Sequence, residues 1–226
     1  MRTIWRTLGR EGIRDIAPVC LASGVVGASF GAITVGAGLP LWLPVLLSFV
    51  VFGGASQFLF IGIIAAGGSP IAAVVAGLLV NSRHLPFGMA LGDVFGSGLL
   101  RRIAGSHLMI DESVAFALAE RNPDRRSAAY WACGLGLFVC WNTGVLLGTV
   151  GGTIIGDPNA FGLDAAFPAV LLALVLPALR DVVTMRAALI GALIALATSM
   201  FLPAGLPVLL GLAGLGVAVP RTKVPA

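Results

Sequence analysis

Seven apolar runs, at 16–38, 41–66, 69–92, 127–156, 162–179, 186–202 and 204–219, take up most of the 226 residues. A helix needs about 20 apolar residues to cross roughly 30 Å of hydrocarbon, so this pattern commits the chain to a bilayer. With 58% hydrophobic and 11% charged residues, no large soluble domain fits anywhere. The expected fold is an all-α integral membrane protein, a single polytopic domain over 1–226. Several runs are short or carry Gly and Pro inside, which predicts broken or tilted helices. Backbone left unpaired at such breaks survives only under protein or beside a water-filled cavity, so the breaks favour a transporter over a passive anchor.

Orientation follows from the basic residues. The first run is too long for a signal-peptide core and lacks a small-x-small cleavage site, so 16–38 reads as a retained first helix. Arg2, Arg6, Arg10 and Arg14 recur every four residues, making 1–15 a basic cytoplasmic or interfacial segment suited to anionic headgroups. The positive-inside rule puts this segment inside with Arg101, Arg102, Arg121, Arg125, Arg126, Arg180, Arg186 and the Arg221/Lys223 tail. Both termini are then cytoplasmic, and 93–126 is a polar cytoplasmic connection. The Asp157–Asp164 loop, without Lys or Arg, belongs outside.

Three full crossings between 16 and 92 would break that assignment. The solution is six full transmembrane helices plus one re-entrant or broken element. In it, 41–66 crosses in two pieces broken at Gly53-Gly54, while 71–92 enters from the cytoplasm, turns near His84-Leu85-Pro86 and returns. Pro86 biases Leu85 away from helical geometry, which suits a turn there. Seven spans with an external N-terminus are the alternative.

Two polar interruptions stand out from the apolar background: Phe52-Gly53-Gly54-Ala55-Ser56-Gln57-Phe58 and Asn81-Ser82-Arg83-His84. Polar and ionisable groups at membrane depth are costly unless they line a cavity or meet partners, so by default they mark a site. Each lies about twelve residues from a Gly67-Gly68-Ser69-Pro70 turn, or roughly 15–18 Å along a helix, which places both near the bilayer midplane. Transporters bind substrate at such helix breaks, where free N–H groups take carboxylates and free C=O groups take cations. A zwitterion needs both. The candidate substrate-binding residues are Gly53, Gly54, Ser56, Gln57, Asn81 and Arg83, with His84 and Asp111 for proton coupling or gating.

Each has a plainer reading. Ser56 and Gln57 also serve as interhelical glue, and Arg83 and His84 as snorkelling side chains. In the functional version Arg83 pairs with a substrate carboxylate, Asp93 or Asp111, and His84 carries a coupling proton. Adjacent Asp111 and Glu112 point about 100° apart on a helix, so they form no two-carboxylate site. Asp164 at the start of a run suits a helix N-cap.

The remaining features argue against other classes. Cys133 and Cys140 lie about 10 Å apart along one helix, too far to bridge, and with Cys20 they read as packing residues. His107-Leu108-Met109-Ile110-Asp111 is not a His-Glu-x-x-His zinc site. There is no Gly-x-x-x-x-Gly-Lys phosphate loop and no Gly-x-Ser-x-Gly elbow. No enzyme, metal, cofactor or nucleic-acid partner is expected. Gly24, Gly27, Gly31, Gly134, Gly136, Gly144 and Gly148 let helices approach closely, against one another or against a partner subunit. Trp131 and Trp141 are left out of the site.

These residues resemble the AzlC family, the large subunit of bacterial branched-chain amino-acid exporters. The resemblance rests on Phe-x-Gly-Ala-Ser-Gln-Phe at 52–58, Asn-x-Arg-His at 81–84, Asp-Glu-Ser at 111–113 and Gly-Leu-Asp at 162–164, in that order along nearly the whole chain. It implies export of valine, leucine, isoleucine and, at the edge of the set, methionine, across a bacterial plasma membrane with a small AzlD-type partner. Proton or substrate gradients would drive it, since no nucleotide loop is present. One departure is Pro86-Phe87 where a Tyr is expected, which removes a hydroxyl beside His84. Two other classes remain as alternatives: a channel or structural subunit would show no saturable transport, and an intramembrane enzyme would turn over in detergent.

Overall fold

The computed structural model describes residues 4–154, 172, 176, 178–202 and 205–217, and every regular element among them is helical. Arg2, the Asp157–Asp164 loop with its Gly-Leu-Asp motif, and the Arg221/Lys223 tail lie outside the described residues. The helices are α1 (Ile4–Gly36), α2 (Trp42–Val50), α3 (Gly54–Ala65), α4 (Pro70–Asn81) and α5 (His84–Ala90). They continue with α6 (Leu99–His107), α7 (Asp111–Ala119), α8 (Pro123–Ile154), α9 (Val182–Ser199) and α10 (Leu206–Gly211). Four stretches among the described residues are long and apolar enough to cross a membrane: Arg6–Gly36, Pro70–Ala90, Pro123–Ile154 and Val182–Ser199.

The chain divides into two units, residues 1–57 with 81–166 and residues 58–80 with 167–226. The first is built on α1 and α8. A Cβ on Gly144 or Gly148 would run into the backbone carbonyls of Gly24 and Ala28, and one on Gly27 would come 2.7 Å from the Trp141 carbonyl. The glycines expected to let helices approach closely thus let these two touch backbone to backbone, where the dispersion contact is densest. The register is parallel. Thr7 accepts from Arg125, Cys20 neighbours Cys133, and Gly152 meets Ala32. Both helices therefore start at the same end of the unit.

α1 contains a kink at Gly9, whose φ of +70° no β-carbon residue adopts cheaply, and then runs on through residues 15 and 16. The basic segment and the first apolar run are therefore one helix beyond the kink. The connection at 93–126 is more than polar: α6 and α7 fold back on α8 and bury Val94, Phe95, Met109, Val114 and Ala117 with Leu91 and Tyr130. Phe87 and Trp131 close the edges of that core.

In the second unit α3 and α4 form a helical hairpin. Gly67 takes φ +77° and the Gly68 N–H returns to the Ile63 carbonyl at 2.8 Å, ending α3 in a Schellman turn. Ile63 packs on Ala73 and Ala76, with Leu209 of α10 against them. Asp181 caps α9 by accepting the Thr184 N–H at 2.7 Å. Gly191 and Gly214 bring α9 onto the segment after α10 at backbone distance.

Candidate functional site

The first polar cluster sits where α2 stops at Val50 and α3 starts at Gly54. Between them Phe52 takes φ +42°, alone among the described non-glycine residues. Such a conformation costs about 1–3 kcal/mol. The ring repays it: Phe52 is 4% exposed, edge-on to Phe138 at 5.0 Å and 6.0 Å from His107. Burying a phenyl ring contributes about 1.5–3 kcal/mol, enough to hold the strained turn. Phe49 joins the same cluster, 5.5 Å from Phe138.

The second cluster sits where α4 ends at Asn81 and α5 begins at His84, joined by a two-residue turn in which Arg83 keeps helical angles (φ −57°, ψ −22°), so Pro70–Ala90 is interrupted there but not reversed. This is earlier than the expected turn at His84-Leu85-Pro86. Pro86 instead occupies the first turn of α5, where a missing N–H costs no hydrogen bond, so the proline starts a helix rather than ending one.

The two breaks meet. A Cβ on Gly53 would lie 2.8 Å from Ser56 Oγ and 3.2 Å from Asn81 Oδ1, so only glycine leaves this space open. Ser56 donates its hydroxyl to the Gly53 carbonyl at 2.8 Å. Gln57, 1% exposed, donates Nε2 to the Leu47 carbonyl near the end of α2 at 2.8 Å. Its Oε1 and Asn81 Oδ1 are buried without a hydrogen-bond partner. A buried amide oxygen left so costs about 1–3 kcal/mol, which favours any ligand or water that supplies a donor. The first helical bond of α3 is the Gln57 N–H to the Gly53 carbonyl at 2.9 Å, so the N–H groups of Gly54, Ala55 and Ser56 precede it and carry the positive end of the helix dipole. The start of α3 and the end of α4 thus bring helix-end donors and unpaired amide oxygens into one neighbourhood.

His84 places Nδ1 2.7 Å from the Asn81 carbonyl and its ring 6.1 Å from Phe87, so it braces the second break from behind. Arg83 Nη1 meets Asp111 Oδ2 at 2.5 Å, while its Nε is buried and unpaired. Asp93, the other candidate partner, faces Arg126 at 3.8 Å. The Arg83 and Asp111 side chains keep 34% and 45% of their surface exposed. Where water reaches it, such a partly exposed pair is worth about 1 kcal/mol or less, little enough for another carboxylate to displace Asp111. Glu112 stands beside it. Crowding by the protein pushes its carboxyl pKa up, and the Arg83 charge pulls against that.

The gap lies halfway along α8. Gly54 is covered by the Trp141 ring, Ser48 donates to Asn142 Oδ1, and Asn142 Nδ2 donates to the Phe138 carbonyl at 2.8 Å. Phe138–Asn142 lie about 22–28 Å from the start of a helix about 48 Å long. Trp141, Phe138, His107 and Asn142 are the residues the sequence reading missed. Asn142 carried a usable signal, an amide inside an apolar run; Trp141 and Phe138 carried none, because aromatic residues are ordinary in any span.

Comparison with known proteins bears on this arrangement. The family model described as AzlC protein matches residues 18–155, which include both breaks and Asp111. The chain belongs to the AzlC family. Among AzlC relatives and their kin, it is 30% identical over 204 residues to the Inner membrane protein YgaZ of Escherichia coli (strain K12), covering 81% of this chain and 79% of that one. It is 22% identical over 171 residues to the Branched-chain amino acid transport protein AzlC of Bacillus subtilis (strain 168), covering 75% of this chain and 66% of that one. An Uncharacterized membrane protein of Haemophilus influenzae is 21% identical over 150 residues, covering 65% of this chain and 61% of that one. No solved structure matches. An AzlC chain with these apolar helices is a membrane protein.

Proposed function

We propose that this chain exports branched-chain amino acids, namely valine, leucine and isoleucine with methionine at the edge of the set. It works as the large subunit beside a small AzlD-type membrane partner. The observation that carries the reading is the meeting of two helix ends at Gly53 and Asn81, with the amide oxygens of Gln57 and Asn81 buried and unpaired beside the start of α3. The amino group of a substrate meets Gln57 Oε1 and Asn81 Oδ1, and its carboxylate meets the α3 start. Arg83 exchanges Asp111 for that carboxylate as the gate, and His84 carries the coupling proton. An aliphatic side chain needs only an apolar wall, which Phe138 and Trp141 are placed to offer. Membership in the AzlC family and the name of the Bacillus subtilis relative support a transport role over an enzyme.

The proposed topology keeps six spans and one re-entrant element, with both termini in the cytoplasm of a bacterial cell. Efflux of labelled leucine from vesicles containing both subunits, with and without a proton gradient, tests the function. Saturable efflux competed by valine is expected. Equal retention of all three amino acids with and without the protein would remove the proposal.

A further inference from the structure

Helix α6 presents an apolar surface that the fold leaves open. Leu99, Leu100 and Ile103 are 75%, 84% and 57% exposed. At 3.6 residues per turn they share an arc of about 100°. The opposite side is the packed one: Gly105 is buried against the Phe95 ring, and its carbonyl accepts the Tyr130 hydroxyl at 2.6 Å. Arg101 and Arg102 are exposed on the same helix. Arg101 lies over the Trp131 ring, 5.7 Å from its centroid. Arg102 forms no ion pair among the described residues.

The first turns of α6 take their depth from Trp131, while its last residue, His107, reaches inward to Phe138. Trp131, partly exposed at the edge of the core, lies about 7.5–9 Å further along α8 than Arg125 and Arg126. Aromatic rings one step inside a basic helix end mark the boundary between headgroups and acyl chains. Nearby contacts hold the segment to the same turns, with Ser127 donating to the Val94 carbonyl at 3.1 Å and Arg126 to the Ala90 carbonyl at 2.6 Å. A short helix with an apolar arc, basic flanks and that depth matches an in-plane interfacial element.

We infer that α6 lies in the membrane plane at the headgroup boundary, with Leu99, Leu100 and Ile103 among the acyl chains and Arg102 on the phosphates of anionic phospholipid. Arg101 ties the same layer to Trp131. The seat also bears on the site, because α6 ends at His107, whose ring meets Phe52 and Phe138 at the first break. That link to transport rests on the proposed function above; the seat itself does not.

The test uses the full chain in lipid nanodiscs, with a Cys140→Ser background and a bimane label on Leu100→Cys. Brominated phosphatidylcholine should quench the label more than aqueous iodide does, and phosphatidylglycerol should deepen that quenching. A basic residue near an anionic surface is worth about 1 kcal/mol, so Arg102→Gln should raise the half-saturating phosphatidylglycerol content about fivefold. Stronger quenching by iodide, no response to phosphatidylglycerol, or protection from both quenchers by a covering protein surface would each overturn the seat. Efflux is a separate readout. Loss of seating in a Leu100→Ser/Ile103→Ser variant with unchanged efflux would sever the link through His107. No efflux from the wild type in any lipid would count against the cargo, with the quenching result untouched.

Discussion

Arg83 has one displaceable partner and one unmet need, and that imbalance makes it the residue on which the proposed gate depends. Its Nη1 holds Asp111 while the buried Nε holds nothing. Replacing Arg83 by Ala should abolish efflux while the protein still reaches the membrane, and Gln57→Ala should do the same by removing Oε1 from the gap. Normal transport by both variants would show that the break is a structural joint only. Asp111→Asn should act differently. Weakening a pair worth about 1 kcal/mol frees Arg83 for a carboxylate, so KM should shift by no more than about fivefold in either direction.

The neighbouring Glu112 adds a pH dependence. It lies at the surface, yet the protein crowds its carboxyl and raises its pKa above the ordinary value. A carboxyl pKa raised in the fold means that the native state holds the proton longer than the unfolded chain. Stability from this group is therefore complete below the ordinary value of 4.5 and is lost as pH rises through the raised one. Glu112→Gln should flatten thermal stability against pH above that value, read by unfolding scans in detergent. A profile unchanged from the wild type would mean that the crowding is relieved in solution.

At the scale of elements, the break at Gly53-Gly54 was legible, whereas the expected turn at His84-Leu85-Pro86 is replaced by a two-residue joint at Ser82-Arg83. Gly53-Gly54 marks the first break because only glycine leaves room beside Ser56 and Asn81, but the strained residue is Phe52, which no propensity rule favours there. The second break moved because Pro86 is compatible with both ending one helix and starting the next, and only tertiary packing decides. The glycine spacing on α1 and α8 was visible, yet spacing belongs to one helix and does not name its partner. Here the partner is each other. Gly144→Leu should therefore be severe, since its Cβ would meet the Gly24 backbone and no rotamer can escape. Overpacking of side chains costs about 1–3 kcal/mol, and a backbone clash sets that as a floor. The expected result is a lowered unfolding temperature and aggregation on size exclusion, and a normally stable variant would mean that α1 and α8 do not touch.

For the molecule as a whole, the parallel register of α1 and α8 replaces a counting argument with a geometric one. If Thr7 and Arg125 lie at one end, the chain between Gly36 and Pro123 must return across the membrane an odd number of times. Two full crossings between Gly36 and Pro123 do not satisfy that; the proposed single crossing in two pieces with a re-entrant 71–92 does, and so does Pro70–Ala90 crossing if 41–66 fails to cross in full. The positive-inside rule reached the same parity from the arginines alone, because charge on loops and helix register both report which ends share a side. Single cysteines turn this into a measurement. In the Cys140→Ser background, Arg10→Cys and Arg121→Cys should react with an impermeant maleimide from the same side, and Pro40→Cys from the other. Gly68→Cys should label from the side of Arg10 if 71–92 re-enters, and Asn159→Cys from the opposite side. Labelling of Arg10→Cys and Arg121→Cys from opposite sides would restore seven spans. It would also break the parallel contact on which the gap between the two helix breaks is built.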